Sequence, residues 1–399
     1  MTQNSTSSDR GPLTGFRVLD LTVNVLGPLA TQLLGDLGAD VIKIEVPTGD
    51  PMRHFGPRKK PNMASHFLNL NRSKRSLTLD LKRPEARDAL FRLIDTADVF
   101  VHNMRNKAAE RLAFGPDAVR QRNPNIIYAY ATGYRADGPK RDRPAFDDII
   151  QGESGIAGIL QRATGTPAYI PYAIADKLCG VYLASSVSAA LVARERGAGG
   201  QVVHVPMLET MVSFNLADHL WGTTYSDRSE DAGYPRMFTR ERRPLRTLDG
   251  HICLMAVTDD QWNRVFAAIG RDELIGNEKF ADMDGRSTNV EELYSIVSEE
   301  ITKRTTNEWR RRLDEYDLPN APMKSLTDVL DDAYLRETGM IRCYDHPDGE
   351  TYTALGFPLH FSETPGGMKR VPPSLGEHSI ELLTEVGFSE DEITKITGP

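Results

Sequence analysis

The sequence predicts an α/β protein in which a large domain contains a parallel sheet and a smaller domain is of the α+β type. Short, nearly continuous apolar strands alternate with amphipathic helices over residues 17–130, a pattern typical of a parallel sheet covered on both faces. Near residue 221 the chain becomes aromatic and arginine-rich, and a compact run of strand and helices follows. The two patterns together indicate two domains.

The first elements form a strand–helix–strand unit. Arg17–Leu21 is predicted as a strand, Gly27 opens a helix with an apolar stripe, and Val41–Glu45 is the next strand. An acidic residue such as Glu45 at that strand tip binds the ribose in dinucleotide-binding folds. However, the turn at residues 22–27 lacks the GxGxxG pattern that lets the backbone approach a pyrophosphate, so a nicotinamide cofactor is not favoured.

Further elements continue the alternation after a polar, basic loop at residues 49–75. They are predicted as strands at 76–81, 98–102 and 125–130, with helices at 84–96 and 108–114 between them, and then as a strand at 201–205 and a helix from residue 207. Polar clusters at residues 22–26, 103–105 and 132–147 follow strand ends. Because ligands of parallel sheets bind beyond the carboxyl ends of the strands, these clusters are candidate site segments.

Asp176 stands at the head of a long helix that is almost wholly small or apolar from Val181 to Ala193. Two interpretations are open for it. Aspartate is a common N-cap, and capping aspartates far outnumber nucleophilic ones. A helix N-terminus also keeps a carboxylate ionised, which suits a nucleophile.

Composition excludes several classes of function. The formal net charge of −8 argues against nucleic acid or an anionic membrane surface as a partner. Three widely spaced cysteines predict neither disulfides nor a metal site, which fits a cytoplasmic location. No apolar run is expected to reach the roughly 20 residues that cross a bilayer. The predicted organisation is a disordered tail at 1–10, a large domain at 11–220, a small α+β domain at 221–320 with its linkers, and a return to the large domain at 321–399.

Several motifs occur in a particular order along the chain. They are Leu13–Thr22, Gly27–Pro28, Leu34–Glu45, Asn71–Ser76, Asn123–Pro124, Ala175–Gly180 and Leu375–His378. In order and spacing they resemble the family III coenzyme A transferases, the group that includes formyl-CoA transferase and the carnitine CoA-transferase. The resemblance runs from about Gly11 to the C-terminus. It implies a Rossmann-like large domain built from both chain ends, a smaller α+β domain, and an interlocked homodimer.

The resemblance also implies an activity. The enzyme would move CoA from an acyl-CoA thioester to a small carboxylic acid, with the CoA thioester as substrate and no tightly bound cofactor. The family's carboxylate nucleophile falls on Asp176, which reverses the preference for a cap, and Asp147 matches an acidic residue that assists it. The residues implied to contact CoA are Asn24, Val25, Leu26, Lys74, Asn103, Met104 and Arg111.

Three alternatives concern the reaction and its acceptor. An α-methylacyl-CoA racemase shares the fold, but it pairs its aspartate with a histidine where this chain has Phe146 before Asp147. The chain is also compatible with a non-catalytic CoA-binding subunit of a heteromeric transferase. The arginines from Arg236 to Arg246 would suit a dicarboxylate acceptor, or they are surface or dimer contacts.

Overall fold

A computed structural model describes residues 11–225, 227 and 231–398. The tail predicted at 1–10 lies outside the described residues. The chain divides into two compact units. The first contains the residues up to Ser154, Ile170–Phe214 and everything from Ala333 onward, and the second contains Gly155–Tyr169 and Asn215–Asp332.

A six-stranded parallel sheet forms the centre of the first unit, as predicted. Its strands are β1 (Arg17–Leu21), β2 (Asp40–Glu45), β3 (Lys74–Thr78), β4 (Val99–His102), β5 (Ile127–Thr132) and β6 (Val202–Pro206). They lie in the order β3-β2-β1-β4-β5-β6, with Val18 of β1 opposite Val41 on one side and Val99 on the other. Strands β1, β4 and β5 are almost wholly buried, which explains why they read as nearly continuous apolar runs, whereas β6 at the edge of the sheet is partly exposed.

The remaining described strands pair antiparallel. They are β7 (Leu245–Arg246), β8 (His251–Leu254), β9 (Asn320–Pro322), β10 (Ile341–Asp345) and β11 (Thr351–Leu355). Strands β7, β8 and β9 form a small sheet in the second unit, whereas β10 and β11 form a hairpin in the first.

Some helix ends coincide with local sequence signals. Helix α3, for example, begins with Pro84 in its first turn, where the missing N–H is tolerated, and has Arg92 in its last turn. The helices are α1 (Leu26–Asp36), α2 (Ser65–Leu70), α3 (Pro84–Asp95), α4 (Asn106–Arg111), α5 (Pro116–Arg122), α6 (Asp147–Glu153), α7 (Ile156–Thr164), α8 (Ile174–Ala193), α9 (Met207–His219), α10 (Pro235–Phe238), α11 (Asp259–Ile269), α12 (Met283–Thr288), α13 (Val290–Ile301), α14 (Thr306–Glu315), α15 (Leu326–Leu330), α16 (Ala333–Glu337), α17 (Ser379–Glu385) and α18 (Glu390–Thr397).

The unit boundaries differ from the domain limits at 220 and 320. Strand β9 pairs with β8, with Pro322 opposite Ile252, so the second unit's sheet extends past the limit at residue 320. Helix α7 also belongs to the second unit, although it lies within the stretch assigned to the large domain. Its Arg162 donates to the Ala232 carbonyl at 2.6 Å and lies 4.2 Å from the centre of the Phe238 ring. These contacts join positions some 70 residues apart, which a local pattern does not predict.

Helix α8 is the longest helix of the first unit and packs against α1, β5 and β6. With its continuation to Ala198 it is long and apolar enough, by length and composition, to cross a membrane. The sequence predicts that no apolar run reaches about 20 residues, and this helix meets the requirement by length and composition, so that expectation needs correction. A core helix can be equally long and apolar, because its buried residues must be apolar to pack against their neighbours. That the protein has no membrane partner stays a prediction.

Candidate active site

A cavity of about 290 Å³ opens at the carboxyl ends of the central strands. The cavity loop (residues 22–26) follows β1, Asn103 and Arg105 follow β4, and Met207 follows β6. Residues 131–133, 141 and 143–146 and Asp176 complete the lining. The three polar clusters that the sequence singled out therefore meet at one cavity, because parallel strands end at the same edge of a sheet.

Asp176 is not the N-cap of α8. The cap is Ala173, which makes no side-chain capping bond, and Asp176 is the third residue of the helix. Its side chain is partly buried and lines the cavity. Within the described part of the chain, no residue donates a hydrogen bond to this carboxyl. A carboxyl that caps nothing and faces a cavity is available for chemistry.

Asp147 caps this helix from another element. Its Oδ2 accepts the Asp176 backbone N–H at 2.9 Å, and its Oδ1 accepts from Gln151 Nε2 at 2.5 Å. The Gln151 Oε1 in turn accepts the Ile170 N–H at 2.9 Å, which ties α6 to the segment that leads into α8. Asp147 thus orients the start of α8 and places a second carboxylate near Asp176.

The local electrostatics disfavour charge on Asp176. Burial, and secondarily the nearby Asp147 carboxylate, raise the pKa of Asp176 to about 7. Cys179, one turn further along α8, is fully buried, and burial raises the pKa of its thiol to about 12. Because a thiol becomes a nucleophile only as the thiolate, Cys179 is a poor alternative to the carboxylate.

The cavity loop contains three of the residues implied to contact CoA. Asn24, Val25 and Leu26 all line the cavity, and Asn24 has a φ of 67°, in the left-handed region. Asn103 holds the loop from the side: its Oδ1 accepts the Val23 N–H at 3.0 Å and its Nδ2 donates to the Val23 carbonyl at 2.8 Å. Asn103 therefore lines the cavity and also shapes its wall.

The expectation that Lys74 contacts CoA needs correction. Lys74 is the first residue of β3 and not part of a polar loop, and its side chain is fully buried. Its Nζ donates to Asp20 Oδ2, the Pro28 carbonyl and Asn71 Oδ1, at 2.9, 3.0 and 2.9 Å. An ammonium group carries three donors, so all of its hydrogen-bonding capacity is used inside the protein.

Met104 and Arg111 also lie apart from the lining. The side chain of Met104 packs against the hydrophobic core that contains Phe100 and Tyr128. Arg111 is the last residue of the short helix α4, and its side chain is exposed. Of the CoA contacts implied by the resemblance, the structure brings Asn24, Val25, Leu26 and Asn103 to the cavity of Asp176, and it does not bring Lys74, Met104 or Arg111 there.

Three cavity arginines were not singled out from the sequence. Arg105, Arg141 and Arg143 line the cavity and are exposed, so it offers cationic partners for an anion. The sequence indicates only that Arg105 and the 132–147 segment belong to polar clusters. In the second unit, Arg236 donates to the Ala256 carbonyl and to the Tyr294 hydroxyl, at 3.2 and 3.1 Å, as a structural contact would. No group of three or more histidine, cysteine or acidic side chains among the described residues is arranged to hold a metal ion.

Comparison with known proteins identifies the family. The model for CoA-transferase family III matches residues 13–379. The chain belongs to CoA-transferase family III. It is 34% identical to the probable fatty acyl-CoA transferase Rv3272 of Mycobacterium tuberculosis, over 95% of this chain and 99% of that protein. It is 31% identical to the succinate–glutarate CoA-transferase of Agrobacterium fabrum, over 96% of this chain and 98% of that protein.

Solved structures of family III members share the fold of this CoA-transferase. The crystal structure of an aspartate-to-alanine mutant of Rv3272 has a TM-score of 0.81 at 33% identity, covering 93% of this chain and 98% of that chain. A CAIB/BAIF family protein from Brucella suis has a TM-score of 0.79 at 28% identity, covering 95% and 100%. The resemblance seen in the motifs is therefore confirmed.

Proposed function

We propose that this CoA-transferase moves CoA from an acyl-CoA donor to a small dicarboxylic acid, through a covalent aspartyl-CoA intermediate on Asp176. The observation that carries the proposal is the Asp176 carboxyl itself, which faces the cavity with no hydrogen-bond donor among the described residues. A group in that state can attack a bound thioester without first breaking a contact in the protein.

The reaction consists of two half-reactions. The Asp176 carboxylate attacks the donor's thioester carbonyl and expels CoA thiolate, which leaves a mixed acyl–aspartyl anhydride. The thiolate then attacks the aspartyl carbonyl, so the donor acid leaves as a carboxylate and an aspartyl-CoA thioester remains. The acceptor carboxylate attacks this thioester and releases CoA thiolate, and the thiolate attacks the acceptor's acyl carbonyl in the new anhydride. The acceptor acyl-CoA leaves, and Asp176 is regenerated.

The protein's own residues contribute position and environment. Asp147 fixes the start of α8 by accepting the Asp176 N–H, so the nucleophile has a defined place on the cavity wall. The partly buried setting that raises the Asp176 pKa weakens the solvation of its carboxylate and so strengthens its attack. The same setting limits the access of water to the anhydride, which would otherwise be hydrolysed.

Two observations support a dicarboxylate acceptor. Relatives of the chain are named for succinate, glutarate, mesaconate and malate. Three arginines line the cavity, and guanidinium groups match carboxylate geometry. The sequence left two roles open for the arginines from Arg236 to Arg246, a dicarboxylate site or surface or dimer contacts. They belong to the second unit, and two of them already have partners there. The acceptor would therefore be recognised by the arginines that share the cavity with Asp176.

A homodimer is part of the same proposal. In the first unit, four apolar side chains that association with a second copy would cover are each about half exposed: Val181, Tyr182, Val192 and Phe214. Light scattering on the purified protein measures this directly, and a monomer would contradict it. The cytoplasmic location stays a prediction.

Both rival functions are less well supported. A racemase needs a base on each side of the substrate's α-carbon, and the described residues that line the cavity include no histidine. Phe146 stands at the position where the racemases have their histidine base, and its side chain is 70% exposed on the cavity wall. A non-catalytic subunit would have no need of an unpaired nucleophile, although one relative is named as the beta subunit of a succinyl-CoA–L-malate CoA-transferase. Transfer by the purified single chain would separate these cases.

The covalent intermediate can be trapped. Succinyl-CoA added without an acceptor is expected to leave CoA or an acyl group on the protein, and hydroxylamine is expected to convert Asp176 to a hydroxamate that peptide mass spectrometry locates. The matched control is Asp148→Asn, which removes the exposed carboxylate next to Asp147 and is expected to label like wild type. Asp176→Asn is expected not to label. A wild-type protein that transfers CoA with no adduct at Asp176 would contradict the mechanism.

A further inference from the structure

The cavity loop is held from inside the protein by a buried ion pair. Lys43 on β2 and Asp50 are both fully buried, and Lys43 Nζ donates to Asp50 Oδ2 at 2.9 Å. Lys43 Nζ also donates to the Thr22 carbonyl at 3.0 Å. Asp50 Oδ1 accepts the Asn24 backbone N–H at 3.3 Å. The pair thus contacts the backbone on both sides of Val23.

The backbone that these bonds hold is in an uncommon conformation. Asn24 has a φ of 67°, which residues other than glycine adopt only rarely and at some cost. Such a conformation persists where surrounding contacts determine it, and here the bonds come from Lys43, Asp50 and Asn103. Without the ion pair, the loop would keep the bonds from Thr22 to Asp20 at its start and the lateral contact of Val23 to Asn103, and Asn24 would lose the hydrogen bond to its backbone N–H.

Asp50 is itself firmly placed. Its backbone N–H donates to Glu45 Oε2 at 3.0 Å, and Glu45 forms a two-pronged ion pair with Arg53, with both bonds at 2.7 Å. A buried ion pair adds little net stability, because the cost of removing both charges from water offsets their attraction. What the buried ion pair does is fix geometry, because two buried charged side chains have few alternative positions in which both remain paired.

We propose that Lys43 and Asp50 are positioning residues for acyl-CoA binding, acting through the cavity loop without touching the substrate. This inference rests on the proposed function, because it assigns the loop's shape to the binding of the CoA ester beside Asp176. The pair would set the wall against which the ester lies, and would leave the chemistry at the carboxyl unchanged once the ester is bound.

The decisive variant is the double substitution Lys43→Met with Asp50→Leu. It removes both charges together, so no unpaired charge is left buried, and replacements of this kind are often neutral for stability. It also removes the bonds to the Thr22 carbonyl and the Asn24 N–H. We expect the KM for succinyl-CoA to rise about tenfold, as two lost backbone anchors imply, while kcat stays within about threefold of wild type. Hydrogen exchange of the amides in residues 22–26 should become faster.

A matched control exists in the same unit. Arg72 and Asp36 also form a buried pair, with Nη2 2.7 Å from Oδ2, and none of their hydrogen bonds reaches residues 22–26. The substitution Arg72→Met with Asp36→Leu likewise replaces both members of a buried ion pair by apolar residues, at a site away from the loop. It is expected to leave the KM for succinyl-CoA and the hydrogen exchange of the loop unchanged in the folded protein.

If the first double variant does not fold, Asp50→Asn decides the question. The asparagine keeps the volume, but its single oxygen serves either Lys43 or the Asn24 N–H and not both, so a smaller rise in KM is expected. A folded variant with wild-type KM and wild-type loop exchange overturns the inference. Failure of the proposed function looks different, because wild-type protein would then transfer no CoA between succinyl-CoA and any dicarboxylic acid.

Discussion

Replacing Asp176 by asparagine should remove activity and, at neutral to alkaline pH, make the protein more stable. The activity is lost because an amide is not a nucleophile toward a thioester. Stability rises because the wild-type carboxyl is poorly solvated when charged, whereas the amide carries no charge. A capping aspartate predicts the opposite, since its loss costs about 1 kcal/mol.

The magnitude follows from the pKa of Asp176. Its rise from 3.8 to about 7 corresponds, at about 1.4 kcal/mol for each pKa unit, to an upper limit near 4 kcal/mol. Because the side chain is partly exposed, solvent screening reduces this to about 2 kcal/mol. With an unfolding entropy of about 2.1 cal/mol/K per residue, a chain of 399 residues would gain roughly 2–3 °C in Tm.

The stability gained by Asp176→Asn should also depend on pH in a defined direction. Between about pH 4 and pH 7 the folded protein keeps a proton on Asp176 that the unfolded chain has released, so wild-type stability falls as the pH rises through this window. The cost is complete above pH 7. The stability difference between Asp176→Asn and wild type should therefore be small at pH 5 and largest at pH 8.

Thermal unfolding at pH 5, 6.5 and 8, with transfer assays on the same samples, tests this prediction. Asp148→Asn is the control, since its exposed carboxyl lies outside the cavity lining, and its Tm difference from wild type should not change with pH in this way. A loss of stability in Asp176→Asn at pH 8 would refute the desolvation argument. Transfer at near the wild-type rate would refute the assignment of Asp176 as the nucleophile.

Three further perturbations test the site and its support. In wild type, kcat/KM for the donor should rise with pH and level off above about pH 7, where the carboxyl is ionised; a profile that falls from pH 6 to 8 would contradict this. Lys74→Met should lower the free energy of unfolding by about 3–5 kcal/mol in urea titrations, since it leaves the Asp20 carboxylate buried without its ion-pair partner. Unchanged stability with weaker CoA binding would restore Lys74 as a CoA contact. Gly180→Ala places a methyl group 2.7 Å from the Leu26 carbonyl oxygen and should cost about 1–3 kcal/mol, whereas Gly152→Ala, with open space around it, should not destabilise the protein.

Much of the fold was predictable because its signals are local. The parallel sheet and its crossover helices follow from apolar runs that alternate with amphipathic ones. Strand β3 was predicted at 76–81 but spans Lys74–Thr78, since its limits are set by pairing with β2, where Val41 lies opposite Lys74. Lysine and arginine at the start of a strand read as loop residues unless the acidic partners that neutralise them are known.

The candidate site likewise has features that local sequence signals determine and features that depend on the tertiary structure. The sequence by itself determined that Asp176 stands at the start of a helix and that polar segments follow the strand ends, because helix starts and strand ends are marked by neighbouring residues. Only the tertiary structure decided what those side chains do. Asp147, 29 residues away, accepts the Asp176 N–H, and Asp20, 54 residues from Lys74, draws that lysine into the interior. The reason is physical: the solvation and partners of a charged group depend on whatever the fold brings within a few ångströms, and these neighbours are far away along the chain.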